Sequence, residues 1–223
     1  MKQVVAIDGP SGAGKSTVAG ELAKRLGYVH LDTGAMYRAV ALAAVRDGLD
    51  LEDEIALDAL CGRIHINFVN TECGMRVTLD GEDVSDLIRT PEMSRASSAV
   101  SGVSSVRRHM VRLQREIGSR GGLVAEGRDM GTVVFPETRA KFYLDAAVGE
   151  RAKRRWLELS GQGEKDPLDK VEDDMQERDH NDSTRSDSPL RRADDAIIVD
   201  TTDMSPEDVV DLIFRRVKEL ETS

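Results

Sequence analysis

The residues best equipped for chemistry are Gly9-Pro10-Ser11-Gly12-Ala13-Gly14-Lys15-Ser16, followed by Thr17. They fit the phosphate-binding pattern of Gly, four residues, then Gly-Lys-Ser or Gly-Lys-Thr. Three glycines let the backbone close around a phosphate chain without Cβ clashes and turn N–H groups inward, and a helix N-terminus behind them adds partial positive charge. In this pattern the lysine, Lys15, reaches the β- and γ-phosphates, and the hydroxyl of Ser16 sits on Mg²⁺. A glycine-rich turn without a ligand is the plain alternative, but eight specified positions and both flanking segments speak against it.

Three further stretches carry side chains suited to anions. Tyr28-Val29-His30-Leu31-Asp32 reads as a strand ending in a carboxylate, and Thr33-Gly34-Ala35-Met36-Tyr37-Arg38 opens a helix from it, at the sheet edge where α/β folds place ligands. Taken alone, Tyr37 and Arg38 read as surface residues of that helix. Leu123-Val124-Ala125 delivers Glu126-Gly127-Arg128-Asp129-Met130-Gly131-Thr132, an Arg-Asp pair between glycines that a loop can aim into a cleft. In the charged tract from Leu159 to Leu190, Glu177-Arg178-Asp179-His180-Asn181-Asp182-Ser183-Thr184-Arg185 sets arginines seven apart, as a lid over phosphates would need. A solvated helix and loop would look similar. Asp32, Asp145 and Asp200 each end an apolar run and compete as the carboxylate supporting Mg²⁺. Asp32 ranks first.

The elements that must position these groups follow from periodicity. Val4 to Ile7 is a short buried strand before the loop, and Val18, Leu22 and Leu26 recur at helical spacing behind it. Asp50 is the expected cap of a helix through Leu60. Ile64, Ile66 and Phe68, then Met75, Val77 and Leu79, alternate like antiparallel strands, with Asp80-Gly81 as a hairpin turn. Helical pattern resumes after Pro91, rich in serine and arginine. Lys141 to Asp145 and Ala196 to Asp200 are further strands, and Ser205-Pro206-Glu207-Asp208 has capping-box spacing before a last helix burying Val209, Ile213, Val217 and Leu220. The expected fold is α/β: a five-stranded parallel sheet with helices on both faces, an antiparallel insert and a helical lid. One domain is divided into a core of 1–47, 91–157 and 190–223, an insert of 48–90 and a lid of 158–189.

With 223 residues and 39% hydrophobic content the chain can bury a full core. Its net charge of −10 argues against wrapping nucleic acid, where a basic face would dominate. Cys61 and Cys73 form no Cys-x-x-Cys pair and lack a histidine at ligand spacing, so they read as ordinary thiols. The N-terminal apolar run is too short for a signal peptide and nothing approaches a membrane span, so a soluble, cytoplasmic protein is expected, and a monomer because no long apolar stripe is left over.

Asp-Thr-Gly-Ala-Met-Tyr-Arg at 32–38, Glu-Gly-Arg-Asp-Met-Gly-Thr-Val-Val-Phe-Pro at 126–136, Glu-Arg-Asp-x-x-Asp-x-x-Arg at 177–185 and the long insertion together resemble bacterial cytidylate kinase. The resemblance runs from end to end. It implies a nucleoside monophosphate kinase that moves the γ-phosphoryl group of ATP, with Mg²⁺, onto CMP or dCMP. Carried onto matching positions, Arg38, Arg128 and Arg185 resemble the clamp on the acceptor phosphate, for which guanidinium forks are well shaped. Arg107 and Asp129 resemble the readers of the cytosine edge. Ser98, Arg178 and Asp182 fall where the family contacts the sugar, Tyr37 lines that pocket, and Thr33 stands where serine is common. The four histidines, His30, His65, His109 and His180, match no functional position.

Other classes fare worse. No Asn-Lys-x-Asp sequence for reading guanine ends a late strand, as a GTP-driven switch would need. A passive nucleotide-binding module leaves three arginine segments unexplained. A kinase for UMP or another small phosphate acceptor is the remaining competitor, and acceptor choice separates it.

Overall fold

The computed structural model describes residues 3–71, 74–161, 163 and 165–222. The chain divides into two compact units, one built from Met1–His30 and Arg120–Ser223, the other from Leu31–Ser119. Chain order begins with β1 (Val4–Asp8), α1 (Lys15–Leu26) and β2 (Val29–Asp32), the last of which reaches the division between units. The second unit holds α2 (Thr33–Arg46), α3 (Glu54–Arg63), β3 (Ile66–Thr71), β4 (Gly74–Leu79), β5 (Glu82–Asp83), α4 (Pro91–Gly102) and α5 (Ser104–Gly118). The chain then returns to the first unit through β6 (Leu123–Gly127), β7 (Ala140–Asp145), α6 (Val148–Gly161), α7 (Leu168–Thr184), β8 (Ile197–Asp200) and α8 (Pro206–Thr222).

Five strands make one sheet in the order β2-β6-β1-β7-β8. The strand β1 pairs in parallel with β6 and β7, and β7 with β8. Central parallel strands are covered on both faces, which is why Val5, Ala6, Ile7, Val124, Ala125, Phe142 and Leu144 read as unbroken apolar runs and are buried. Helices α1 and α8 close over this core through Val18, Leu22, Val209, Ile213 and Val217. Leu220 is partly buried against the same cluster. The helix α1 starts after Gly14 and stops at Gly27, both left-handed, and Ser205 caps α8 by accepting the Asp208 N–H at 3.2 Å. The expected α/β sheet and its capping signals are present.

The second unit departs from the expectation in detail. Asp53, not Asp50, caps α3, its carboxylate accepting the N–H groups of Ile55 and Ala56. Asp50 instead turns its carboxylate to the Glu52 N–H, bending the chain one turn before the helix. Ile64 terminates α3, so the antiparallel pairing begins at Ile66, opposite Leu79. Asp80 and Gly81, at φ of 50° and 87°, form the two-residue turn between β4 and the short β5. The helical tract after Pro91 is two helices, broken where Val103 is extended and Ser105 gives its N–H to the Glu54 carboxylate. Cys61 is buried, and burial pushes its thiol up to about 11. Cys73 lies outside the described residues.

Candidate active site

The loop from Gly9 to Gly14 leaves the carboxyl end of β1 at the middle of the sheet, the place where open α/β sheets bind ligands. Its glycines answer to space as well as conformation. A Cβ on Gly9 would stand 2.0 Å from the Leu144 carbonyl oxygen, and one on Gly12 would stand 2.7 Å from that of Arg151. Gly12 and Gly14 are also left-handed, at φ of 74° and 88°. Lys15, only 7% exposed, donates to the Pro10 carbonyl at 2.6 Å. Burial, and then the charge of Arg128, lower its ammonium to about 7, against the opposing pull of Glu126 and Asp179.

The side chain of Ser16 donates to Glu126 Oε2 at 2.8 Å, and Glu126 Oε1 lies 3.0 Å from His30 Nε2. The carboxylate beside the loop serine therefore belongs to β6. Asp32 is committed elsewhere: one oxygen caps α2 through the Ala35 N–H and the other accepts from Arg38 at 3.0 Å.

The same unit gathers an arginine cluster. Arg128 Nε donates to Asp182 Oδ2 at 2.8 Å, Arg185 Nη1 lies 3.3 Å from Asp182 Oδ1, and Arg185 Nε donates to the Ser188 carbonyl. Burial would raise the carboxyl of Asp182, but the charges of Arg128, Arg178 and Arg185 outweigh it and hold the group below its ordinary range. One carboxylate thus holds Arg128 and Arg185 by hydrogen bonds and feels the charge of Arg178 as well. Arg128 and Arg178 also act on Lys15, so this cluster and the loop share one electrostatic neighbourhood.

Asp8 explains how Arg128 and Asp129 are aimed. As the last residue of β1 it accepts the N–H groups of Met130 and Gly131, each at 2.8 Å, pinning a short π-helical turn over Met130–Val134. Burial pushes its carboxyl up to about 6, against those two hydrogen bonds. Asp179 and Arg151 brace the phosphate loop from the other side. Asp179 Oδ1 accepts the Ser11 N–H at 3.0 Å, while Arg151 pairs with Asp179 and donates to the Ser11 carbonyl.

Within the second unit, Thr33, Tyr37 and Arg107 are buried, and the Arg107 guanidinium lies 5.5 Å from the centre of the Tyr37 ring while donating to the Ser101 carbonyl. Ser98 is half-buried on α4. Arg38 is folded against Asp32, and its Nε has no hydrogen-bond partner among the described residues. Each unit thus carries part of the set read from the sequence. Asp8, Arg151, Asp179 and the bond between Ser16 and Glu126 escaped that reading. Nothing in the order of residues says that Asp8 meets Met130 or that Arg151 meets Asp179.

No group of three or more histidine, cysteine, aspartate or glutamate side chains suited to a metal occurs among the described residues. No described helix is long and apolar enough to cross a membrane.

A family model described as cytidylate kinase matches residues 5–219. The cytidylate kinase of Geobacter sulfurreducens is 50% identical over 218 residues, covering 98% of this chain and 94% of its own. That of Syntrophotalea carbinolica is 51% identical over 216 residues, covering 97% and 92%, and that of Pseudomonas aeruginosa 47% over 214 residues, covering 95% and 93%. An uncharacterised protein from Eubacterium ventriosum superposes with a TM-score of 0.52 at 12% identity over 98% of this chain and 99% of its own, a likeness of fold alone. With relatives of this identity spanning nearly the whole chain, around a phosphate loop and an arginine cluster, the chain belongs to the cytidylate kinase family.

Proposed function

We propose that this kinase transfers the γ-phosphoryl group of ATP to CMP and dCMP by positioning and charge neutralisation, without a dedicated base. The acceptor is a phosphate oxygen already ionised at neutral pH, so no proton must be removed from it. What must be overcome is the repulsion of two anions. The observation that carries this reading is the cluster of Arg128, Arg178 and Arg185 around Asp182, sharing its field with Lys15. Lys15 and the backbone N–H groups of the phosphate loop hold the donor phosphates, while Arg38, Arg128 and Arg185 grip the acceptor phosphate.

For the base, Asp129 accepts the cytosine amine and Arg107 donates to the ring's acceptors. Thr33, Tyr37, Ser98, Arg178 and Asp182 take the sugar and the rim of the pocket. Because Asp182 already holds Arg128 and Arg185, its contact with a ribose hydroxyl would use lone pairs left over from that pairing. The residues present fit Mg²⁺. A serine hydroxyl that offers a lone pair to a cation must send its proton elsewhere, and Glu126 receives it, so Ser16 with Glu126, in place of Asp32, would hold the ion. When bound, Mg²⁺ supplies further charge neutralisation on the phosphates. The net charge of −10 favours a protein that ignores nucleic acid, and the scattering of the exposed apolar side chains favours a monomer.

The test is acceptor choice. Measured by coupled release of ADP, CMP and dCMP should be used far better than UMP or AMP. Asp129→Asn should lose about tenfold or more of the preference for CMP over UMP, because an amide can serve a uracil carbonyl; a bidentate base contact carries about 1–3 kcal/mol of discrimination. Equal use of all four nucleotides by the unaltered protein would overturn the reading.

A further inference from the structure

We propose that His30 is a positioning residue for phosphoryl transfer, acting through Glu126 on the hydroxyl of Ser16. The inference rests on the cation site argued above. Three elements meet at one buried carboxylate: Ser16 from the first turn of α1, His30 from β2 and Glu126 from β6, the strand lying between β2 and β1. Glu126 is 3% exposed, and its oxygens are divided, Oε2 to the Ser16 hydroxyl at 2.8 Å and Oε1 to His30 Nε2 at 3.0 Å.

The division has a chemical meaning. For the Ser16 oxygen to face a cation, its proton must point away, and Glu126 Oε2 fixes that direction. A glutamate carboxylate rotates freely about its last torsion unless its second oxygen is also held. His30 holds it. With a carboxylate as acceptor, Nε2 carries the proton, so the imidazole donates whether neutral or charged. Its other edge faces Gly20 of α1, where an added Cβ would come within 3.6 Å of Nδ1. Donors behind a ligand-bearing carboxylate commonly set metal affinity without touching the metal. A leucine at position 30 would fill similar space and leave Oε1 without this donor. The histidine carries no sequence signature of this role because two residues, Glu126 and Ser16, stand between it and the ligand.

The experiment compares His30→Leu and His30→Gln in the full chain, with Mn²⁺ as a paramagnetic substitute for Mg²⁺ and an ATP analogue whose β–γ bridge is an imido group. Free Mn²⁺ is read by electron paramagnetic resonance, and kcat and KM for CMP are measured alongside thermal melting. The leucine variant should bind Mn²⁺ about tenfold or more weakly and lose kcat in proportion, with the KM for CMP changed by less than about twofold. The glutamine variant, whose amide nitrogen reaches about as far as imidazole Nε2, should recover most of both. If the leucine variant does not fold, the comparison of His30→Gln with the shorter His30→Asn takes its place, Asn behaving as the loss. Mn²⁺ affinity and kcat unchanged in the leucine or asparagine variant would overturn the role of His30, as would a glutamine variant that recovers melting temperature but neither of them. A wild-type protein that binds no Mn²⁺ with the analogue would instead remove the cation site itself, and this inference with it.

Discussion

A lysine ammonium buried among arginines is held in a poor environment until a polyanion arrives. Burial, and then the charge of Arg128, lower the Lys15 ammonium from its ordinary 10.5 to about 7. Triphosphate oxygens beside it favour the charged form, so ATP binding at pH 8 should take up most of one proton, read as binding heats that differ between buffers of different ionisation enthalpy. Heats that do not depend on the buffer would contradict this. The sign for folding is the reverse of an ordinary lysine's. Between about 7 and 10 the unfolded chain holds more protons at this position than the native one, so its contribution to stability grows as pH rises through that window and should flatten when ATP is bound. Replacing Lys15 or Arg185 by alanine should lower kcat by about a hundredfold or more, since removing one preorganised donor typically costs about 3–4 kcal/mol of transition-state stabilisation. Near-normal turnover in both variants would refute their assignment.

At the scale of elements, the close approach of β7 to the phosphate loop is decisive. A Cβ on Gly9 would stand 2.0 Å from the Leu144 carbonyl, a collision with backbone rather than with a yielding side chain. Gly9→Ala should therefore destabilise the fold by about 3 kcal/mol or more, seen as a lowered midpoint of chemical denaturation. An unshifted midpoint would show that the strand gives way. The helix α7 is tied to the same loop, its Asp179 taking the Ser11 N–H that a phosphate also seeks. Occupation of the loop should loosen this tie, and amide hydrogen exchange across Leu168–Thr184 should change on adding ATP. Exchange indifferent to the nucleotide would leave Asp179 with a purely structural task. These elements were largely legible in the sequence because each is announced locally: β1 by a β-branched run, α8 by Ser205-Pro206, the hairpin by Asp80-Gly81. The cap of α3 was misplaced because Asp50 and Asp53 are both good caps, and only the turn at Glu52 decides between them.

For the whole molecule, the net charge of −10 is the feature that bears on nucleic acid. Duplex DNA should accordingly not be retained in a gel-shift titration at physiological salt, and retention would mean that a basic face exists after all. The candidate site was legible where one residue type at one spacing implies one task, as with Lys15 and Ser16. It was illegible where the task arises from partners distant in sequence: Asp8 with Met130, Arg151 with Ser11, His30 with Glu126. Such pairs have no local signature, and the fold alone makes them neighbours. The strand order carries one more consequence, for the order in which the protein is made. β1 emerges first, yet both its neighbours, β6 and β7, lie beyond residue 122, after the contiguous Leu31–Ser119 unit. On the ribosome the strand that leads into the phosphate loop must wait for both its sheet neighbours, so the loop is among the first parts translated and among the last to gain its flanking strands.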